Sequence, residues 1–215
     1  MDDIAETIIA MHNKSLDDCH DRLRSWDHCY GFFQSGFDDD KRASLHLAFF
    51  LASWGMYRGG SFLLQKDYLI HLDVVKQLRD TKLSSLNNLS FDEYLKNEQT
   101  IRKTLFDLIG CIRTLYIPDN VTDTLATKIL LGTLGCIPAY DRFFVAGLRR
   151  KGLTFSYLNE KNFREMMSWC LDHRRQFEQA QNEINKTNIR SGYQFEYPIM
   201  KIVDMYFWSV GSRSN

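Results

Sequence analysis

The sequence predicts an all-α fold, and three observations carry the prediction. Only three prolines, Pro118, Pro138 and Pro198, occur in 215 residues. Long stretches repeat apolar residues at helical spacing. The one alternating segment, SGYQFEY at 191–197, is short and runs into Pro198, so no strand is expected. The length favours one compact domain spanning 1–215.

The elements follow in chain order. A first helix is expected over about 2–12 and a second over 15–34, with Ser15 as its cap ahead of Asp17 and Asp18. FDDDKR separates it from a helix near 41–55. There Leu45, Phe49, Ala52 and Met56 form one stripe, flanked by Ala48, Leu51 and Trp54, so burial almost all round is expected. GMYRGG breaks this helix, and another runs over about 62–80. After the polar SSLNNLS, Ser90 and Glu93 form a capping box. The helix they open reaches about 116, with Leu105, Leu108, Ile109 and Ile112 inward. YIPDN is a turn. Thr122 caps DTLATKILLGTLG, which ends at Gly135. The next helix starts near Pro138–Asp141 and stops at Gly152. Asn159 caps a long helix to about 185, apolar at Phe163, Met166, Met167 and Cys170. The last begins at Pro198.

Composition narrows the function classes. Apolar residues make up 44% and charged residues 25%, an ordinary globular balance. Aromatics reach 13%, enough for a large core with rings left over. Lys plus Arg, at 27, equals Asp plus Glu, so net charge points to no partner, although a local basic patch stays open. The five cysteines are scattered and never CxxC, which fits reduced thiols rather than a disulfide frame or a zinc site. The acidic opening MDDIAETIIAMHNKSLDD argues against a signal peptide, and no apolar run reaches membrane-spanning length. A cytoplasmic protein without membrane, metal or other cofactor is expected.

The densest stretch is GCIPAYDRFF, 135–144. Asp141 sits where a helix begins. It is either an ordinary cap or a carboxylate kept ionised at a helix mouth, able to stabilise positive charge developing on a substrate. The wider segment ATKILLGTLGCIPAYDRFF resembles the catalytic segment of the helix-hairpin-helix (HhH-GPD) DNA glycosylase superfamily, in the OGG-like form with an aromatic residue before the Asp. Ile137, Pro138, Ala139, Tyr140 and Asp141 match its hydrophobic-Pro-x-x-Asp signature. The resemblance implies an all-α glycosylase that cleaves the N-glycosidic bond of a damaged or modified base flipped from duplex DNA, in repair or phage defence. It implies that Asp141 supports the oxocarbenium-like sugar. Lys128 is the candidate for a lyase step, although it lies closer to the Asp than the family's Schiff-base lysine. Where the family's hairpin carries a Gly-hydrophobic-Gly turn, this chain has IPDNVTD.

Further candidates surround that segment. Trp54 or Tyr57 can stack on a base, Arg58 can hold a phosphate, and Gln65 can read a base edge, against a reading as a tight helix–helix turn. Tyr140 and Arg142 flank the Asp. Basic runs at Arg149–Lys151 and His173–Arg175 offer phosphate contacts or solvated helix faces. Asp204, the lone carboxylate on the last, aromatic helix, is expected at the surface, against a reading in which it lines a pocket. Cys19, His20, His28 and Cys29 do not make a zinc site, because nine or ten residues along a continuous helix span roughly 14 Å. Arg22 and His28 fit the loose pattern of HEPN-type ribonucleases. A non-catalytic helical binding protein is the remaining alternative.

Overall fold

Most helix starts in this chain are set by short polar side chains that accept from the first free backbone N–H groups. The structure, a computed structural model, describes residues 3–18, 20–79, 81–153, 157–187 and 192–213. Among these it forms α1 (Ile4–Asp17), α2 (Arg24–Gln34), α3 (Asp40–Ser53), α4 (Leu72–Leu78), α5 (Phe91–Leu115), α6 (Asp123–Thr133), α7 (Arg142–Arg150), α8 (Glu160–Asp172), α9 (Arg174–Thr187) and α10 (Ile199–Ser212), and no strand. Asp3, Asp39, Thr122 and Asn159 cap α1, α3, α6 and α8. Ser90 and Glu93 close their capping box at the start of α5. At the far end of α6, Gly135 takes a positive φ of 64° and its N–H returns to the Leu130 carbonyl at 2.9 Å.

Several expected boundaries are corrected. Ser15 is no cap: its hydroxyl donates to the His12 carbonyl inside α1, and α2 begins only at Arg24. The premise of a continuous helix from 19 to 29 therefore fails, and Cys19 lies outside the described residues, as does Ser191 of the alternating segment. The expected helix over 62–80 is two 3-10 turns, Phe62–Gln65 and Tyr68–His71, followed by α4. Ser61 and Asp67 accept from Leu63 N–H and Leu69 N–H and restart the chain each time. The long helix after Asn159 breaks at His173, whose backbone leaves the helical region. In α3 the expected stripe faces outward. Leu45 is 52% and Phe49 60% exposed, while Ala43, Leu47, Phe50 and Leu51 are buried. Almost every position from 45 to 54 is apolar, so periodicity alone could not choose the packed face.

One contiguous core draws side chains from every helix. α10 runs through it, with residues 199–207 all buried, as an apolar segment of that length requires. It crosses α7 at backbone contact. A Cβ added to Gly147 would lie 1.9 Å from the Phe207 carbonyl oxygen, and one on Gly211 would lie 1.8 Å from that of Phe143. Backbone cannot yield as a side chain can. Gly147→Ala is therefore expected to destabilise the fold by about 3 kcal/mol, the upper range for overpacking, read as a lower urea midpoint at unchanged slope.

His71 is fully buried between two tyrosines. Its Nε2 lies 2.7 Å from Tyr57 Oη and its Nδ1 2.6 Å from Tyr116 Oη, so the neutral ring accepts from one hydroxyl and donates to the other. Burial pushes the imidazole down to about 4 from 6.5. The unfolded chain therefore binds the extra proton first. Stability is expected to fall by about 3 kcal/mol as the pH drops from 6.5 to 4. Urea titrations across that window should show the slope in the parent and a flatter profile in His71→Gln.

No helix among the described residues is long and apolar enough to cross a membrane.

Candidate active site

The loop from Leu134 to Asp141 joins α6 to α7, and its backbone is fastened at three points. Thr124 Oγ1 donates to the Tyr140 carbonyl at 2.8 Å, Tyr140 N–H donates to Thr127 Oγ1 at 2.9 Å, and Ala139 N–H donates to Asp204 Oδ1 at 3.0 Å. The two threonines stand one turn apart on α6, and Asp204 comes from α10. These contacts hold the Asp141 carboxylate in one place.

Asp141 has two jobs divided between its oxygens. Oδ1 caps α7, accepting from the N–H groups of Phe143 and Phe144 at 3.0 Å each. Oδ2 accepts from Lys128 Nζ at 3.2 Å. The lysine side chain is 4% exposed and the aspartate 13%, so the pair is nearly dry on one side and reaches solvent on the other. Lys128 is not the solvated helix residue that its position on α6 allows.

A second couple stands beside the first. Lys201 Nζ lies 3.4 Å from Asp204 Oδ2, with both side chains under 10% exposed. The surface position expected for Asp204 is therefore wrong: it is the one carboxylate on a mostly apolar helix, buried beside Lys201, where it holds the loop. Burial pushes its carboxyl above the ordinary range, the Lys201 ammonium pulls it back, and the nearby Asp141 charge adds to the rise.

Both couples line one small cavity, walled also by Phe50, Trp54, Leu131, Ala139 and Trp208, with about 220 Å³ between its walls. The free part of that space admits about one water. The indole N–H groups of Trp54 and Trp208 are buried and have no hydrogen-bond partner. Cations crowd the rings. Lys128 Nζ lies 4.8 Å from the Trp54 ring centre and Lys201 Nζ 5.0 Å from that of Trp26. The Arg22 guanidinium lies 5.0 Å from Trp54 and 5.8 Å from Trp208. Clustered buried charges and orphaned donors carry a desolvation cost that a purely structural core avoids. Such a cluster in a cleft marks a functional-site candidate.

The other sequence-derived candidates fall elsewhere. Tyr57 is spent on the His71 hydrogen bond. Arg58 is exposed with its guanidinium folded against Gly55, and Gln65 is exposed on the first 3-10 turn. Met56, Gly60 and Phe62 wall a different groove of about 850 Å³ with Asn120, Thr122 and Leu125. The Tyr140 hydroxyl points into the core toward Met166 Sδ at 3.7 Å. Arg142 is exposed and covers the Phe143 ring. Of the basic runs, Arg174 is held by Asp92 and Glu178, Arg150 donates to the Val210 carbonyl, and Lys151 lies over Tyr206. Lys201 and Trp208 escaped the sequence reading. Their signal was there: Lys201, Asp204 and Trp208 share one face of an apolar helix at i, i+3 and i+7.

Burial holds the thiols of Cys29, Cys136 and Cys170 well above their usual range, so none is poised as a nucleophile. Among the described residues no group of three or more His, Cys, Asp or Glu could hold a metal ion. No family model, curated protein or solved structure matches this chain.

Proposed function

We propose that the protein is a DNA N-glycosylase of the HhH-GPD type that works through Asp141 and Lys128. The observation that carries this reading is the Lys128–Asp141 contact of 3.2 Å at the edge of a cavity lined by two tryptophans. In the proposed reaction the bond between base and sugar breaks, and its electron pair leaves with the base. The Asp141 carboxylate faces the positive charge that grows on the sugar. The departing base takes one proton from the Lys128 ammonium, and the freed Nζ lone pair bonds to the sugar C1′. A second Nζ proton passes to the ring oxygen as the C1′–O4′ bond breaks, which leaves an imine. Loss of a C2′ proton with departure of the 3′-phosphate then gives the lyase product. Trp54 and Trp208 present ring faces to a base and N–H groups to its acceptor atoms. The cavity as it stands is too small for a base, so entry requires the Arg22–Trp54–Trp208 wall to part. Base extrusion costs a few kcal/mol, which favours damaged or modified bases as substrates.

The test is direct. Duplexes carrying a panel of oxidised, alkylated and otherwise modified bases are incubated with the protein, and abasic sites are revealed by alkali. Product on at least one duplex, lost in Asp141→Asn, is the expected result. No product on any of them overturns the reading.

A second reading has one observation in its favour. Arg22 and His28, the pair that fits HEPN-type ribonucleases, line the same groove. RNA cleavage lost in His28→Ala would establish it.

A further inference from the structure

The groove that holds Arg22 and His28 is separate from the cavity but shares two walls with it. It lies between the segment at 20–28 and α3, is open to solvent, and is lined by His20, Arg22, Arg24, His28 and Phe49 among others. α3 supplies the first shared wall. Phe50 and Trp54 stand on its cavity side, and Phe49 and Ser53 stand on the adjoining row, one residue round the helix. Arg22 supplies the second, since its guanidinium covers the ring faces of Trp54 and Trp208 while it also lines the groove.

The groove has the chemistry of a nucleic-acid track. Phe49 is 60% exposed, a large ring with nothing packed over it to account for that exposure. Arg22 and Arg24 line the groove together with Asp21, whose Oδ1 accepts from Leu23 N–H at 2.7 Å. His28 is half-buried, and both burial and the Arg24 charge hold its imidazole below the ordinary range, so near neutral pH it is an uncharged ring. The fixed charges of the groove are therefore the two guanidiniums and the Asp21 carboxylate.

We infer that this groove binds the DNA strand next to the extruded nucleotide, with phosphates on Arg22 and Arg24 and a neighbouring base stacked on Phe49. The inference rests on the glycosylase reading for its occupant. Aromatic stacking plus backbone charge is the sequence-tolerant way to hold a strand.

The test is binding of a short fluorescein-labelled duplex of unmodified sequence, followed by anisotropy across a salt series. Arg24→Gln is expected to weaken binding severalfold and to reduce the log–log salt slope by about 1. Phe49→Ser is expected to weaken binding about tenfold with the slope unchanged, and Phe49→Tyr to restore it. The second pair guards the result, because Phe49 is exposed and its replacement leaves the core intact. Parent-like affinity in both Arg24→Gln and Phe49→Ser overturns the inference, as does failure of the parent to bind DNA. Tighter binding of single-stranded RNA, with cleavage lost in His28→Ala, overturns it in favour of the ribonuclease. The two proposals fail separately. Salt and stacking effects without base release leave the groove standing and sink the catalytic reading, whereas base release with unaffected groove variants sinks the groove alone.

Discussion

Asp141→Asn is expected to cut base release by about 10²–10³-fold, the scale on which a preorganised electrostatic stabiliser contributes. The substitution is chosen because it leaves the cap in place. Asn ranks with Asp at this position, and its oxygen can keep accepting from Phe143 and Phe144 N–H. What disappears is the charge facing Lys128. Since that lysine is 4% exposed, losing its partner is expected to cost about 3 kcal/mol. The nearby Asp204 carboxylate limits the loss. Asp141→Ala removes the cap as well and should cost about 1 kcal/mol more. Activity and stability must therefore be read on the same samples, at a temperature where the variant is folded. A variant that melts earlier yet releases base at the parent rate would reduce the pair to a clamp between α6 and α7, and the catalytic reading would fall.

The reason a cap and a proposed catalytic group are hard to separate in the sequence is visible in this carboxylate. Pro138, the turn and Asp141 announce a helix start, and Oδ1 delivers it. Nothing in GCIPAYDRFF says where Oδ2 points. That depends on α6 turning Lys128 inward and on α10 crossing behind the loop, a crossing made possible by Gly147 and Gly211. Contacts local in sequence were legible: the capping box at Ser90, the caps at Thr122 and Asn159, the inward face of α5. Contacts between distant segments were not. Asp204 read as a surface residue because its partner, Ala139 N–H, lies 65 positions away. The outward turn of Leu45 and Phe49 was hidden for a different reason, since a helix apolar on most sides offers no phase. Trp54, by contrast, was legible as an aromatic beside a Gly-rich break, and it does line the cavity.

Two buried lysines now compete for one role, and borohydride can choose between them. Lys128 and Lys201 are 4% and 6% exposed, each lies within 3.4 Å of an aspartate, and both line the same cavity. Only Lys128 contacts Asp141, the group assigned to the sugar. If its Nζ forms the adduct, borohydride should trap a covalent complex with the parent and with Lys201→Met, and none with Lys128→Met. Met fills the volume of the lysine stem without its charge, so both variants lose an ion pair and keep their packing. Each is expected to lose about 3 kcal/mol, which makes them matched controls for folding. Trapping that persists in Lys128→Met but vanishes in Lys201→Met would transfer the role to the α10 lysine. Base release without trapping in the parent would leave a glycosylase with no lyase step. The double variant Lys128→Met/Asp141→Asn adds the last constraint. Because the two side chains touch, its stability loss should fall short of the summed single losses by about 1–3 kcal/mol. Strict additivity would mean that Lys128 and Asp141 do not meet in solution, and the site would lose the contact on which its chemistry is built.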